Sequence, residues 1–365
     1  MKIQWITSII PNRSEGYSDA ASYLKSYLKN DFHLIQDNIS DPSREQVEEI
    51  KKLHNAGIGF LYEKSTELVD VYIHNALPTI FNKKPGYNVC FTYWETNKIP
   101  ANWIDVINNA DELWTASAWA RDVFINSGVN IPVYDFKLGI NDVIYSMPSE
   151  PRMLRKPGRF TFLSIGSPST RKNSQMSVNA FLKLFGADER FSLIYKSNGP
   201  PDARVNRDIP DARMLLKDHP RIRVIDWQVS ESDLARIYDE VDCVLYPTSG
   251  EGWGLLPLQG IAKGIPTICT NATACTEFAH LSVPLNYKWG TSNMFGIYEG
   301  CGDWAEPDFD DLCDKMLYVV NNYDEVAKKT FHGAEWVHQN LTWEKVSQKY
   351  KERLCQISNQ LKPNL

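Results

Sequence analysis

Residues 249–260, SGEGWGLLPLQG, set one acid, Glu251, between Gly250 and Gly252 and shortly ahead of Gly254. Gly250, Gly252 and Gly254 permit positive φ and let a ligand approach the backbone closely. The amides of Trp253, Gly254 and Leu255 would open a helix over LLPLQGIAKG (255–264). A helix start offers unpaired N–H groups and a positive dipole end, which suit phosphate. Glu251 would repel phosphate but accepts hydrogen bonds from hydroxyls. Hydroxyls and phosphate on one ligand describe a sugar phosphate or a nucleotide sugar. The same residues also read as a glycine-rich turn with a solvated glutamate, and local chemistry leaves both readings open. The run lacks the G-x-x-x-x-G-K-[ST] pattern of a P-loop.

A second loop, IGSPSTRKN (165–173), brings Gly166, Arg171 and Lys172 between another strand and helix. Paired cations there could neutralise a diphosphate leaving group. A solvated basic pair is the plainer alternative, although cations at a helix N-terminus oppose the dipole. His74 ends the apolar run VDVYIH, where an imidazole could bond a sugar hydroxyl or a reacting group. A lone histidine also serves as a purely structural residue. The one D-x-D, Asp308-Phe309-Asp310, follows Pro307 at a helix start, where acids favour the dipole, so it is not read as a metal site.

The elements that must position these residues alternate. Strands are expected over 2–10, 69–76, 87–94, 112–117 and 133–140, with helices over 18–30, 103–110 and 118–128. Residues 141–159 hold three prolines and several charges and read as a linker. Alternation then restarts, with strands over 159–166, 191–198, 221–228, 242–248 and 265–271 and helices over 173–186, 230–241 and 255–264. Strand and helix in repeated alternation signal parallel sheets with crossover helices. The fold class is therefore α/β, with two Rossmann-like domains of similar size facing a central cleft. The first spans 1–150 and the second 158–335, with a long amphipathic helix in the segment 336–365.

Bulk properties narrow the partners. A net charge of −6 does not favour nucleic acid, whose backbones are usually gripped by basic surfaces. Eleven tryptophans suit stacking on sugars or bases, although cores use aromatics as well. Seven scattered cysteines form no C-x-x-C pair, which argues against structural zinc and fits reduced thiols in a cytosol. The opening MKIQWITSII reads as a strand rather than a signal peptide, and no apolar stretch is long enough to span a membrane.

The run YPTSGEGWGLLPLQGIAKGIPTI resembles the signature region of retaining glycosyltransferases of family 4 (glycosyltransferase group 1), which have the GT-B architecture. Glu251, Gly252, Trp253, Gly254, Leu255, Pro257, Gly264 and Pro266 fall at matching positions. The likeness extends to EGYSDAASYL, YIHNALP, the stretch from WETNKIP to NSGV, WAEPDFDDL and LTWEKVSQKY. The last of these is similar to the family's helix that crosses back to the first domain.

The resemblance implies roles. Arg171 and Lys172 would hold the donor diphosphate, with Ser167 where many members carry an arginine. Glu251 would hold hydroxyls of the transferred sugar, and the amides from Gly252 to Leu255 would contact sugar and phosphate. The family's second acid, eight positions after Glu251, is Gln259 here, which keeps an acceptor for ribose but loses charge-assisted strength. His74 would line the sugar and acceptor side, and Gly16 would approach the ligands from the first domain. Segment 226–234 would bracket the base, with Trp227 and Val229 near it.

The implied activity is metal-independent transfer, with retention, of a sugar from a nucleotide donor such as a UDP- or GDP-sugar to a hydroxyl acceptor, a glycan or lipid-linked saccharide. No cofactor is expected. The alternatives are a nucleotide-sugar-binding partner without transfer activity, suggested by Gln259 and Ser167, and the same chemistry on a modified DNA base. Lys345, Lys349, Lys351 and Arg353 on the last helix could touch a membrane surface, so a cytoplasmic location with peripheral contact at the inner membrane face is expected. Such charges also simply solvate a docked helix. The oligomeric state stays open.

Overall fold

The computed structural model describes residues 1–7, 16–36, 69–156, 158–197, 219–292 and 296–362. Two units emerge. One comprises Met1–Gly139, Gly296–Cys301 and Trp343–Leu365, the other Ile140–Phe295 and Gly302–Thr342.

In the first unit six strands form one sheet: β1 (Lys2–Thr7), β2 (His33–Gln36), β3 (Val71–Asn75), β4 (Tyr87–Phe91), β5 (Glu112–Thr115) and β6 (Val133–Asp135). Their order is β2-β1-β3-β4-β5-β6 and every pairing is parallel. β3 and β5 are buried at every position, as sheets covered on both faces require. The helices α1 (Gly16–Leu28), α2 (Ala101–Asn108) and α3 (Ala118–Asn126) belong to this unit. Ser117 caps α3 by accepting from the Ala120 amide, which satisfies one otherwise orphaned donor. The expected strand over 2–10 is described only through Thr7, and the loop that carries Glu15 lies outside the described residues.

The second unit repeats the scheme with β7 (Phe160–Ile165), β8 (Phe191–Lys196), β9 (Ile222–Ile225), β10 (Cys243–Tyr246), β11 (Thr267–Thr270) and β12 (Val283–Leu285). All pairings are parallel, in the order β12-β11-β10-β7-β8-β9. Its helices are α4 (Ser174–Phe185), α5 (Glu231–Asp239), α6 (Leu255–Ala262), α7 (Phe309–Asn321) and α8 (Tyr323–Asn340). Phe160, Phe162, Phe181, Phe185, Phe191, Leu193 and Leu245 build one aromatic-rich core under α4 and α7. A separate antiparallel hairpin joins β13 (Tyr287–Thr291) to β14 (Asp303–Pro307).

The chain runs outward from β7 to β9 and then returns to place β10 on the other side of β7. This is the strand order of a doubly wound sheet, and the crevice beyond the carboxyl ends of β7 and β10 is its topological switch point. The two loops singled out in the sequence, 166–173 and 247–254, leave these two strands.

Segment 141–159 is tied down rather than free. Tyr145 is buried edge-on against Tyr238, and the amides of Arg155 and Thr161 donate to the buried carboxylate of Asp242. Residue 157 lies outside the described residues.

The last helix, α9 (Trp343–Leu361), belongs to the first unit. Tyr23 stacks on Trp343, and the Tyr350 hydroxyl donates to the carbonyl of Phe136. The guanidinium of Arg353 donates to Glu112, a wholly buried carboxylate that also accepts from Tyr87 and Trp114. Lys351 pairs with Asp31. Lys351 and Arg353, members of the basic set read as able to face a membrane, are thus engaged within the protein. Among the described residues no helix is long and apolar enough to cross a membrane.

Candidate functional site

At the switch point Glu251 is the hub. It is 6% exposed, and a single oxygen, Oε1, carries its contacts. That atom accepts from Lys172 Nζ at 2.6 Å, from Thr248 Oγ1 at 2.7 Å and from the Tyr246 hydroxyl at 3.1 Å, and lies 3.3 Å from an Arg171 guanidinium nitrogen. Among the described residues, nothing donates to Oε2. Burial alone would push the carboxyl up, but the charges of Lys172 and Arg171, with hydrogen bonds from Lys172 and Thr248, hold it down at about 2. Glu251 is therefore an anion at neutral pH, with one oxygen locked and the other able to accept from a hydroxyl.

The backbone around it is held from three sides. The Glu251 amide donates to Thr273 Oγ1, Arg171 donates to the carbonyl of Gly250, and the Ser249 amide donates to the carbonyl of Arg171. Asn173, in the left-handed region at φ 49°, donates to the Pro247 carbonyl and to Ser249 Oγ, tying the two loops together. Asparagine tolerates that conformation because its short side chain can bond locally.

Of the three glycines in the loop, only Gly254 uses a positive φ, at 100°. A β-carbon there would lie 3.0 Å from Cys275 Sγ and 3.1 Å from the Phe278 ring. Gly254 caps α6 with no side chain in the role, so the first amides of that helix remain available as donors. Trp253 is buried edge-on against Phe278, so its ring belongs to the core and only its backbone can reach a ligand. Gln259 is buried on α6, and its Oε1 has no partner among the described residues.

The other expected residues fall as follows. Gly166 directly follows β7 at φ 149°, with Lys172 packed against it. β9 stops at Ile225, so Trp227 and Val229 lie on a loop, Trp227 60% exposed and Val229 half-buried. Lys196, which the sequence reading passed over, is 3% exposed at the end of β8 and donates to the carbonyl of Trp227 at 2.8 Å. Burial pulls its ammonium down to about 8. In the first unit, Gly16 opens α1. His74 is 2% exposed against Phe81, with Nε2 3.1 Å from Asn88 Oδ1. The Asn88 amide donates to the carbonyls of Lys84 and Gly86, so its oxygen faces His74 and Nε2 bears the proton. Its Nε2 side is thus engaged within the first sheet.

Asp308 caps α7 by accepting from the amides of Asp310 and Asp311. Among the described residues no cluster of three or more His, Cys, Asp or Glu is placed to hold a metal ion. Tyr246, Thr248 and Asn173 are members of the site that the sequence reading missed. The hydroxyl-bearing run YPTS just ahead of Glu251 was the available signal.

Comparisons with known proteins bear on the family and the fold. The sequence model of "Family 4 Glycosyltransferase in conflict systems" matches residues 117–349, more than half of the chain. A protein of Sulfolobus islandicus filamentous virus (isolate Iceland/Hveragerdi), named "Putative glycosyltransferase 45", is 23% identical over 274 residues, 69% of this chain and 71% of that protein. Among solved structures, sucrose-phosphate synthase (tll1590) from Thermosynechococcus elongatus superposes with a TM-score of 0.71 at 13% identity, covering 98% of this chain and 99% of that one. Anabaena Alr3699/HepE in complex with UDP superposes with a TM-score of 0.66 at 12% identity, covering 98% and 100%. At these identities the structural likeness is one of fold, and the fold is the GT-B architecture of two Rossmann-like α/β domains.

Proposed function

The chain belongs to the family 4 glycosyltransferases in conflict systems, and from that premise we propose that it moves a sugar, with retention, from a nucleoside diphosphate to a hydroxyl of a saccharide acceptor. The observation that carries the reading is the state of Glu251: ionised, buried, saturated at Oε1 by two cations and two hydroxyls, and open at Oε2. In this reading Oε2 accepts from a hydroxyl of the transferred sugar.

Arg171 and Lys172 supply positive charge for the departing diphosphate, together with the uncapped amides that open α6. The buried amide of Gln259 meets the ribose, and Trp227 and Val229 bracket the base. Because Glu251 is held as an anion, it cannot serve as the general acid. Its oxygen bound to Lys172 is also poorly suited to attack carbon. Retention is then attributed to attack on the same face as the leaving phosphate, past an oxocarbenium-like transition state. The UDP complex of the Anabaena structure makes uridine donors the first to test.

A thermal-shift panel of UDP-, GDP- and dTDP-sugars tests the proposal. One donor should raise the melting temperature by mass action, about 2.7 kcal/mol of added stability at a hundredfold excess over Kd. Glu251→Ala should abolish the part of that rise due to the sugar and keep the part due to the nucleotide. A rise identical in both proteins would remove Glu251 from the site.

A further inference from the structure

Arg171, Lys172, Thr248, Glu251 and Tyr246 converge around one carboxylate oxygen, and four of the five are carried by loops or turns. Tyr246 is the exception. It is the last residue of β10, it pairs with Cys269 of β11 in the parallel ladder, and it is 1% exposed. Groups carried by a packed strand hold their place more tightly than groups carried by loops. Its hydroxyl accepts from Lys172 Nζ at 2.8 Å and donates to Glu251 Oε1 at 3.1 Å. The same ammonium lies 5.3 Å from the centre of the Tyr246 ring. One strand-borne oxygen therefore touches both the cation assigned to the leaving group and the carboxylate assigned to the sugar.

We propose that Tyr246 is a positioning residue for the transfer: its hydroxyl keeps Lys172 in register with Glu251 while negative charge develops on the departing diphosphate. The inference rests on the reading of this loop as the donor site. An ammonium has three N–H groups. The bonds to Tyr246 and Glu251 fix the directions of two, and so fix where the third points. Without the phenol oxygen, Nζ can pivot about its bond to Glu251, and that pairing then competes with the phosphate. Burial, and the charge of Glu251, push the phenol well above its ordinary pKa, so it remains a hydrogen-bond donor throughout the working range.

The test is Tyr246→Phe in the full chain, which removes one oxygen and keeps the ring. Turnover is read as nucleoside diphosphate released from whichever of UDP-glucose, UDP-N-acetylglucosamine, GDP-mannose and dTDP-glucose the wild type uses best. The expected result is a kcat at least ~10-fold lower with the donor KM changed less than ~3-fold, because the bond lost orients a group in the transition state rather than binding the donor. In a Lys172→Met background the same substitution should change kcat less than ~2-fold, since coupled residues are not additive.

A Tyr246→Phe protein with wild-type kcat overturns the proposal. So does an equal loss in both backgrounds, which marks a merely structural role. Melting curves report whether the variants fold. Should Tyr246→Phe fail to fold, 3-fluorotyrosine installed at this position keeps the ring and hydroxyl but weakens the oxygen as an acceptor for Lys172. A lowered kcat then sustains the proposal and an unchanged one overturns it. Absence of release from all four donors by the wild type overturns the donor-site reading itself, whereas release that Tyr246→Phe leaves intact overturns only the role given to Tyr246.

Discussion

Replacing Glu251 by glutamine keeps the shape of the side chain and removes one buried negative charge. The size of the effect follows from the site. Burial favours the neutral acid, yet Lys172 and Arg171 hold the carboxyl at about 2, against an ordinary value of 4.5. At about 1.4 kcal/mol per tenfold change in affinity for the proton, that separation corresponds to roughly 3 kcal/mol of stability. The folded-state pKa is the depressed one, so this stability is fully present above about pH 4.5 and is lost as the pH falls towards 2. The glutamine variant also removes the anion that faces two largely buried cations, a loss of about 3–5 kcal/mol at fully buried pairs. Both figures describe the same interaction and are not to be added. The assay is urea unfolding of wild type and Glu251→Gln at pH 7, 5, 4 and 3, followed by circular dichroism. The variant should be less stable by about 3 kcal/mol at pH 7 and pH 5, with the gap narrowing at pH 4 and further at pH 3. Equal stability at pH 7, or a gap that is the same at pH 3 as at pH 7, would refute the assignment of Glu251 as an ion paired with Lys172 and Arg171.

Three other substitutions probe separate contacts of the fold. Gly254→Ala places a β-carbon against Cys275 and Phe278 at a φ of 100°, and should cost about 1–3 kcal/mol, read as a lowered melting temperature. Arg353→Met strips the wholly buried Glu112 of its cation, and should cost about 3–5 kcal/mol while speeding hydrogen exchange in α9. Unchanged exchange there would mean that this pair does not hold the helix. Asp308→Ala removes the cap of α7 and should cost about 1 kcal/mol, leaving any effect of EDTA on turnover the same as in the wild type. A changed EDTA response would assign Asp308 to a metal instead.

The architecture was legible in the sequence because parallel sheets write themselves as alternating apolar runs and amphipathic helices. The strand before SGEGWG and the strand before SPSTRK could both be placed, and a doubly wound order sets their ends side by side. Other features depend on information that no local pattern carries. Whether the Tyr246 hydroxyl meets Lys172 depends on which way the final residue of β10 points, and the register of the whole sheet sets that. Tryptophans serve ligand stacking and cores alike, and for Trp253 it is Phe278, twenty-five residues later, that places the ring in the core. That His74 Nε2 meets Asn88 on the neighbouring strand is likewise set by the register of β3 against β4. Segment 141–159 has the composition of a linker, yet Asp242, just ahead of β10, fastens its end.

In the function proposed above, the loop around Glu251 holds a nucleotide sugar for transfer. The most direct measurement is release of nucleoside diphosphate from a panel of nucleotide sugars by the wild type and by Glu251→Ala, with both proteins shown to be folded. The wild type should release nucleoside diphosphate from one donor and the variant at least ~100-fold less, the scale expected on removing one preorganised electrostatic group. Release that proceeds equally well without the Glu251 carboxylate would contradict that function.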